Sequence, residues 1–267
     1  MANIDKTAKI GHNCTISENV IIEENVTIGH NCIINENVTI KKNTKIGNDC
    51  IIGEYLRDYF IYNENYNYNN PITIIGENSI IRSKTIIYSD NILGDSLETG
   101  HSVTIREKSD IGNNVRIGTL CDIQGFCKIG NYVRMHSNVH IGQESRVGNF
   151  VWIFPYTVLT NDPTPPSNKL FGVEIEDYAV IATGTIVLPN VKIGKNSFIG
   201  AKSLVNKNVE DNSIYAGNPF KFICKITEFK NKFTGKYNYP WMYNFDRGMP
   251  WENIGFENWT KENCVEL

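Results

Sequence analysis

Aliphatic residues recur at every sixth position from Ile10 through Ile16, Ile22, Ile28, Ile34, Ile40 and Ile46 to Ile52. Four residues after each of the first seven stands a smaller side chain, at Cys14, Val20, Val26, Cys32, Val38, Thr44 and Cys50. The places between are dominated by Asn, Glu, Lys and His. After a lapse the beat returns at Ile75, Ile81, Ile87 and Leu93, with Thr99 its one non-aliphatic member. It continues at Ile105, Ile111, Ile117, Ile123, Ile129, Met135, Ile141, Val147, Ile153 and Leu159. A third run holds Ile175, Ile181, Val187, Ile193, Ile199 and Val205.

A strict period this short predicts a parallel β-helix. Six residues make one short strand and one turn, and three such units close a triangular coil of eighteen residues. No coil can bury its aliphatic residues alone, so coils must stack into a continuous core. Roughly nine to ten coils at about 4.8 Å per step give a prism about 45 Å long. Cys14, Cys32 and Cys50 are eighteen apart, as are Gly11, Gly29 and Gly47, and each set should form a ladder. The glycines and the neighbouring asparagines are expected to take the positive φ of sharp corners.

The repeat predicts one elongated all-β domain over residues 1–210, broken by loops near 55–73 and 160–174. Residues 211–267 should then form a C-terminal helix and tail, the short helix running to about Lys230. Trp241, Trp251 and Trp259 make that tail too aromatic for disorder, so it should cover the prism or a partner. Net charge is −3 and no basic run suggests a nucleic-acid partner. Met1 to Cys14 lacks the apolar stretch of a signal peptide, and no run is long enough to span a bilayer. A cytoplasmic protein without a membrane partner is expected. Cys14, Cys32, Cys50, Cys121 and Cys127 fall at the small inward position and read as buried hydrophobes.

Function on a rigid scaffold tends to gather where regularity fails. The first break, near Tyr55 to Pro71, holds five tyrosines and reads equally as a lid or as a loop packing its own rings. The second, Thr160 to Gly172, is stiffened by three prolines and starts with Asn161 and Asp162. Between them runs a dense block, I-R-S-K-T-I-I-Y…T-G-H-S-V-T-I-R-E, from Ile81 to Glu107. Its Arg82, Tyr88, His101, Arg106 and Glu107 would suit a diphosphate sugar, because guanidinium forks match phosphate oxygens. His12 and His30, eighteen apart, read as surface.

The motif [LIV]-[GAED]-x-x-[STAV]-x resembles the hexapeptide-repeat acyltransferases, and that resemblance implies a left-handed coil. The Ile81–Glu107 block, the N-D-P-T-P stretch and I-Y-A-G-N-P-F-K from Ile214 to Lys221 resemble the nucleotide-sugar N-acetyltransferases of the family. Enzymes that acetylate dTDP-3-amino-3,6-dideoxyhexoses are the nearest in pattern. The resemblance implies acetyl-CoA as cosubstrate, a dTDP-sugar as acceptor, a homotrimer with sites between subunits, and no metal. It implies that Asn161 and Asp162 position the amine, and Gln143 and His136, at outward positions nearby, are further catalytic candidates for carbonyl or amine contacts. Ala182 and Gly184 would line the pantetheine path, and Lys202, Lys207 and Lys221 would meet coenzyme A phosphates. Sugar O-acetylation remains open, since His136 could deprotonate an alcohol. The γ-class carbonic anhydrases place three zinc-binding histidines on a related coil. His101, His136 and His140 have spacings of 35 and 4, each one residue short of that pattern, and one residue turns a side chain to another face. His136 and His140 are expected instead to face the cleft between subunits, where an uncoordinated histidine can act as acid, base or orienter. A non-catalytic scaffold or ice-binding surface fits less well, because regular threonine arrays are missing from the outward positions.

Overall fold

The computed structural model describes residues 1–61 and 68–264. Almost every repeat unit supplies a two-residue strand such as Thr27–Ile28 or Lys45–Ile46, and every third strand in chain order returns to the same sheet. Three parallel walls result, of ten, twelve and ten strands, named here first, second and third in the order the chain enters them. Registers stack like on like: Ile10 faces Ile28, Ile28 faces Ile46, and Ile46 faces Ile81 across the first break. The chain is an all-β parallel solenoid, consistent with the left-handed β-helix of hexapeptide repeats. Its axis is filled by the aliphatic beat, with Ile34, Ile52, Ile87, Ile105 and Ile123 fully buried.

The corners divide labour differently from the sequence expectation. Asparagines carry the left-handed backbone, with φ of 57° at Asn13 and Asn31 and 56° at Asn19. Gly11 and Gly29 do not have positive φ. A Cβ on Gly11 would lie 2.5 Å from the Gly29 carbonyl oxygen, so glycine is needed there for the close passage of one coil over the next. Side chains also satisfy backbone groups up the stack. The His12 N–H donates to His30 Nδ1 at 2.9 Å, and the two rings stack at 5.3 Å. In the cysteine ladder, Cys32 Sγ donates to the Gly47 carbonyl at 3.0 Å, and Cys32, Cys50, Cys121 and Cys127 are buried free thiols.

The last coil is closed by a strand where a helix was expected. Lys221–Lys225 pairs antiparallel with Ser213–Ala216, and only a single 3-10 turn follows, at Ile226–Glu228. A prism end leaves a row of unpaired backbone groups, and a folded-back strand satisfies them while its lysines discourage further pairing. The short C-terminal helix lies later, at Phe256–Glu262. The tail is ordered against the second wall. Trp251 is fully buried beside Phe150, Phe256 and Trp259. Trp241 Nε1 donates to the Tyr178 carbonyl at 2.8 Å, and buried Arg134 donates to the Gly248 carbonyl at 2.8 Å. Among the described residues no helix is long and apolar enough to cross a membrane.

Both insertions leave the same edge. The first follows Ile51–Glu54 and the second follows Val158–Leu159, both strands of the third wall, and each returns to the first wall. Five strand steps separate them, about 24 Å along the axis. The first loop contains the short helix Arg57–Ile61 and packs its own rings, with Tyr55 and Tyr59 stacked at 4.0 Å and Tyr68 edge-on to both. Tyr62 and Tyr66 lie outside the described residues.

Candidate functional site

Along the edge between the two loops, each coil places one side chain immediately after its inward residue on the third wall. Tyr88 follows Ile87, Arg106 follows Ile105, Gln124 follows Ile123, Gly142 follows Ile141 and Thr160 follows Leu159. The Arg106 guanidinium lies 5.7 Å from the Tyr88 ring centre. Its Nε and Nη2 donate to the Glu107 carboxylate at 3.2 and 2.9 Å, and its Nη1 donates to Gln124 Oε1 at 3.2 Å. Gln124 Nε2 in turn donates to Asp122 Oδ2 at 2.7 Å, and the same oxygen meets His140 Nδ1 at 3.1 Å. One connected network therefore runs from an aromatic ring to an imidazole between the two insertions.

The His140 hydrogen bond, followed by that of Gln124, holds the Asp122 carboxyl below the usual carboxylate range despite its half-burial. An ionised carboxylate only accepts, so Nδ1 donates to Asp122, and in the neutral ring Nε2 is then the acceptor nitrogen. No described residue hydrogen-bonds to that Nε2. An imidazole oriented by a carboxylate is the arrangement that general base chemistry uses. Asp122 and His140 are 18 residues apart, directly opposed in register on the third wall. Asp122 and Gln124 are candidate side chains that the sequence reading did not select, whereas His140 was expected there as an acid, base or orienter. Their signal was the eighteen-residue coil step joining an acid to a histidine.

The second loop closes this edge from below. Asn161 stands directly under Gly142, where a Cβ would come within 3.3 Å of the Asn161 Cβ, and half-buried Gln143 is next in the chain. Asp162 is engaged by its own loop. Its Oδ1 accepts from Thr164 N–H at 3.1 Å and Ser167 Oγ at 2.7 Å, and its Oδ2 accepts from Ser167 N–H at 2.9 Å. Those bonds, Ser167 Oγ foremost, keep its carboxyl below the usual range.

The remaining predicted residues lie elsewhere. Arg82, His101, His136, Ala182, Gly184 and Lys202 line the opposite edge of the third wall, where it meets the second. Arg82 is paired with Glu98 at 2.9 Å, a carboxylate shared with Arg116 at 3.4 Å. The His136 ring stacks on Phe154 at 4.6 Å, and burial pushes its pKa down. His101 is exposed and two coil steps from His136, about 10 Å along the axis. Among the described residues no three His, Cys, Asp or Glu side chains are placed to hold a metal. Gly184 has a φ of 70°, and its missing Cβ would lie 3.5 Å from Lys202 Cγ. Lys207 lies 5.9 Å over the Tyr215 ring, and Lys221 is exposed on the closing strand. The third wall thus carries candidate residues on both of its edges.

Comparison with known proteins places the repeat. The family described as bacterial transferase hexapeptide (six repeats) matches residues 7–42, 108–143 and 172–207. Galactoside O-acetyltransferase of Lactococcus lactis is 47% identical over 66 residues, 24% of this chain and 32% of that protein. Gamma carbonic anhydrase 2 of Arabidopsis thaliana mitochondria is 30% identical over 78 residues, 28% of each chain. The chain therefore spans a third or less of these two curated relatives. The solved UDP-N-acetylglucosamine acyltransferase of Arabidopsis is 20% identical, covering 84% of this chain and 72% of its own, with a TM-score of 0.44. Two different chemistries among relatives of one repeat mean that the coil reports the scaffold and the side chains on its edges must report the reaction. Three segments of the chain therefore resemble the repeats of the bacterial transferase hexapeptide family, in keeping with its beat and its stacked registers.

Proposed function

We propose that this chain is an acetyl-CoA-dependent N-acetyltransferase acting on the amine of a nucleotide-linked amino-deoxy sugar, a dTDP-3-amino-3,6-dideoxyhexose being the favoured class. The observation that carries the reading is the network from Tyr88 through Arg106, Gln124 and Asp122 to His140, lying between two loops on one edge. One end offers an aromatic face and a guanidinium for base and diphosphate. The other offers an oriented imidazole. Gln143 and Asn161 border the same stretch and would hold the sugar amine.

The chemistry asks for few groups. The amine attacks the thioester carbonyl, a tetrahedral oxyanion forms, and the thiolate leaves as the amine proton is taken up. His140 Nε2 would accept that proton, with Asp122 stabilising the charge that develops on the ring. Burial disfavours the charged form of His136, which stacks on Phe154, and Ala182, Gly184 and Lys202 lie two to three coil steps further along the same edge, which would suit the uncharged pantetheine arm. The proposed assembly is a homotrimer, in which one subunit's third wall would meet its neighbour. Asp162 is assigned to holding the second loop in shape.

A second reading, sugar O-acetylation, is favoured by the same dyad, since an alcohol needs a true base. One assay separates the two. The protein is given acetyl-CoA with a panel of dTDP- and UDP-amino sugars and matched hydroxyl sugars, and thiol release is recorded. Release with an amino sugar alone supports the proposal. Release with hydroxyl acceptors alone replaces it with the second reading, and silence with the whole panel removes both.

A further inference from the structure

The chain carries a net charge of −3, yet residues 221–237 read K-F-I-C-K-I-T-E-F-K-N-K-F-T-G-K-Y, five lysines against one glutamate. The fold gathers them at one end of the second wall. Lys221–Lys225 is the outermost strand there, and Phe222 and Ile223 are 48% and 55% exposed on it. Phe229 then stacks on Phe198 at 5.9 Å, which returns the chain to the outer face of the same wall. The bridge between Lys230 and Tyr237 closes a hairpin. Its strands and the closing strand lie within about two coil steps, roughly 10 Å along the axis.

The hairpin tip is held by its own hydrogen bonds. Asn231 Oδ1 accepts from the N–H groups of Phe233 and Thr234 at 2.9 and 3.2 Å, and Gly235 N–H donates to the Asn231 carbonyl at 2.7 Å. That turn holds Phe233 out at 86% exposure, with Lys232 Nζ 5.1 Å from its ring. Tyr237 is 52% exposed under Lys230, whose Nζ lies 4.9 Å from its ring. Among the acidic groups nearby, Glu210 pairs with Lys225 at 3.3 Å and Glu228 accepts from the Lys225 N–H at 3.2 Å. Among the described residues Lys221, Lys230, Lys232 and Lys236 form no ion pair.

A protruding, cationic and apolar tip fits few partners. Single-stranded nucleic acid is held in grooves, and phosphate reading favours guanidinium forks, but this segment protrudes and contains no arginine. Lysines ringing an exposed aromatic suit a diffuse layer of negative headgroups over an apolar interior. We infer that the hairpin 229–237, flanked by the strand Lys221–Lys225, docks on an anionic membrane surface. Phe233 enters the headgroup region, and Lys230, Lys232 and Lys236 face acidic lipids. Sequence reading asked only for a spanning apolar run and for contiguous basic residues. Here the lysines are dispersed, and the hairpin collects them.

The test is vesicle sedimentation of the full chain. Protein should pellet with phosphatidylcholine vesicles containing about a third phosphatidylglycerol, stay free of pure phosphatidylcholine, and be released at about 0.5 M salt. Replacing Lys230, Lys232 and Lys236 together by serine should lower partition about a hundredfold, at roughly fivefold per lysine. Phe233→Ser should lower it roughly tenfold. Both variants should keep the wild-type Tm, since these side chains are exposed. Equal partition into both vesicle types, or wild-type partition by the lysine variant, would overturn the inference. So would salt-sensitive retention on polyuridylate with no vesicle binding, which would reassign the patch to nucleic acid.

Discussion

Asp122 Oδ2 lies 3.1 Å from His140 Nδ1, across one step of the coil. If this pair serves as base and orienter, His140→Asn should lower kcat by about 100- to 10,000-fold. Asp122→Asn should lower it less, because the imidazole remains. The Asp122 carboxyl is held below its ordinary range by His140 first, so its support of the fold is complete above that ordinary value and fades as pH falls through the depressed one. Steady-state kinetics and a pH series of melting curves check both. Wild-type kcat in His140→Asn would move the search for a base elsewhere.

Arg106 makes four contacts at once: Tyr88, two to Glu107, and Gln124. Lysine keeps the charge and loses the fork. Arg106→Lys should raise KM for the nucleotide sugar roughly tenfold while kcat holds within about threefold. An unchanged KM with a depressed kcat would show that this guanidinium serves the chemistry and not the diphosphate.

The second loop separates two roles that its sequence places side by side. Asp162→Ala removes the acceptor of Thr164 and Ser167, so cleavage of residues 160–172 in limited proteolysis should quicken, and Ser167→Ala should do the same in milder form. Asn161→Ala should leave proteolysis alone and lower kcat by roughly 10- to 1000-fold. Should Asp162→Asn cut turnover while cleavage stays slow, the carboxylate would belong to the amine after all.

Ile123 is fully buried in the middle of the prism, and His12 is exposed near its start. Ile123→Asp forces an unpaired carboxylate into a dry core and should abolish cooperative folding or cost more than about 4 kcal/mol. His12→Ala should cost less than about 0.5 kcal/mol. Comparable melting of the two would reverse the assignment of inside and outside.

Leu120 holds a φ of 60° while 56% exposed, a conformation that costs a branched residue about 1 kcal/mol or more and asparagine less. Leu120→Asn should therefore raise the stability of an isolated subunit by about 1 kcal/mol. If this leucine is kept for contact between subunits, the same change should weaken assembly. Sedimentation and thermal melting at two concentrations read the two effects separately.

The scaffold was legible because a period of six writes the inside of a triangular coil directly into the chain. The site was legible in parts. Arg82 and Arg106 belong to one motif, yet they are 24 residues apart, which is not a whole number of eighteen-residue coils, so they stand on different edges. His140 was weighed against other histidines for a metal, whereas its partner was an acid one coil away. The Lys221–Lys225 strand was misread because backbone pairing at an open end, and not side-chain pattern, decides its form. The tail's ordering was foreseen from its tryptophans, but which wall it covers depended on Phe150, Tyr178 and Val180 forming an apolar surface there.

Because both loops leave one edge of a periodic coil, the gap between them is measured in whole turns. Excising one eighteen-residue turn, such as 107–124, would draw the loops together by a single step of about 4.8 Å and leave both on the same side. Excising six residues would keep the inward beat intact and swing one loop to a different wall. The molecule is therefore a graduated ruler, on which the distance between two stops changes in fixed increments while the stops stay aligned.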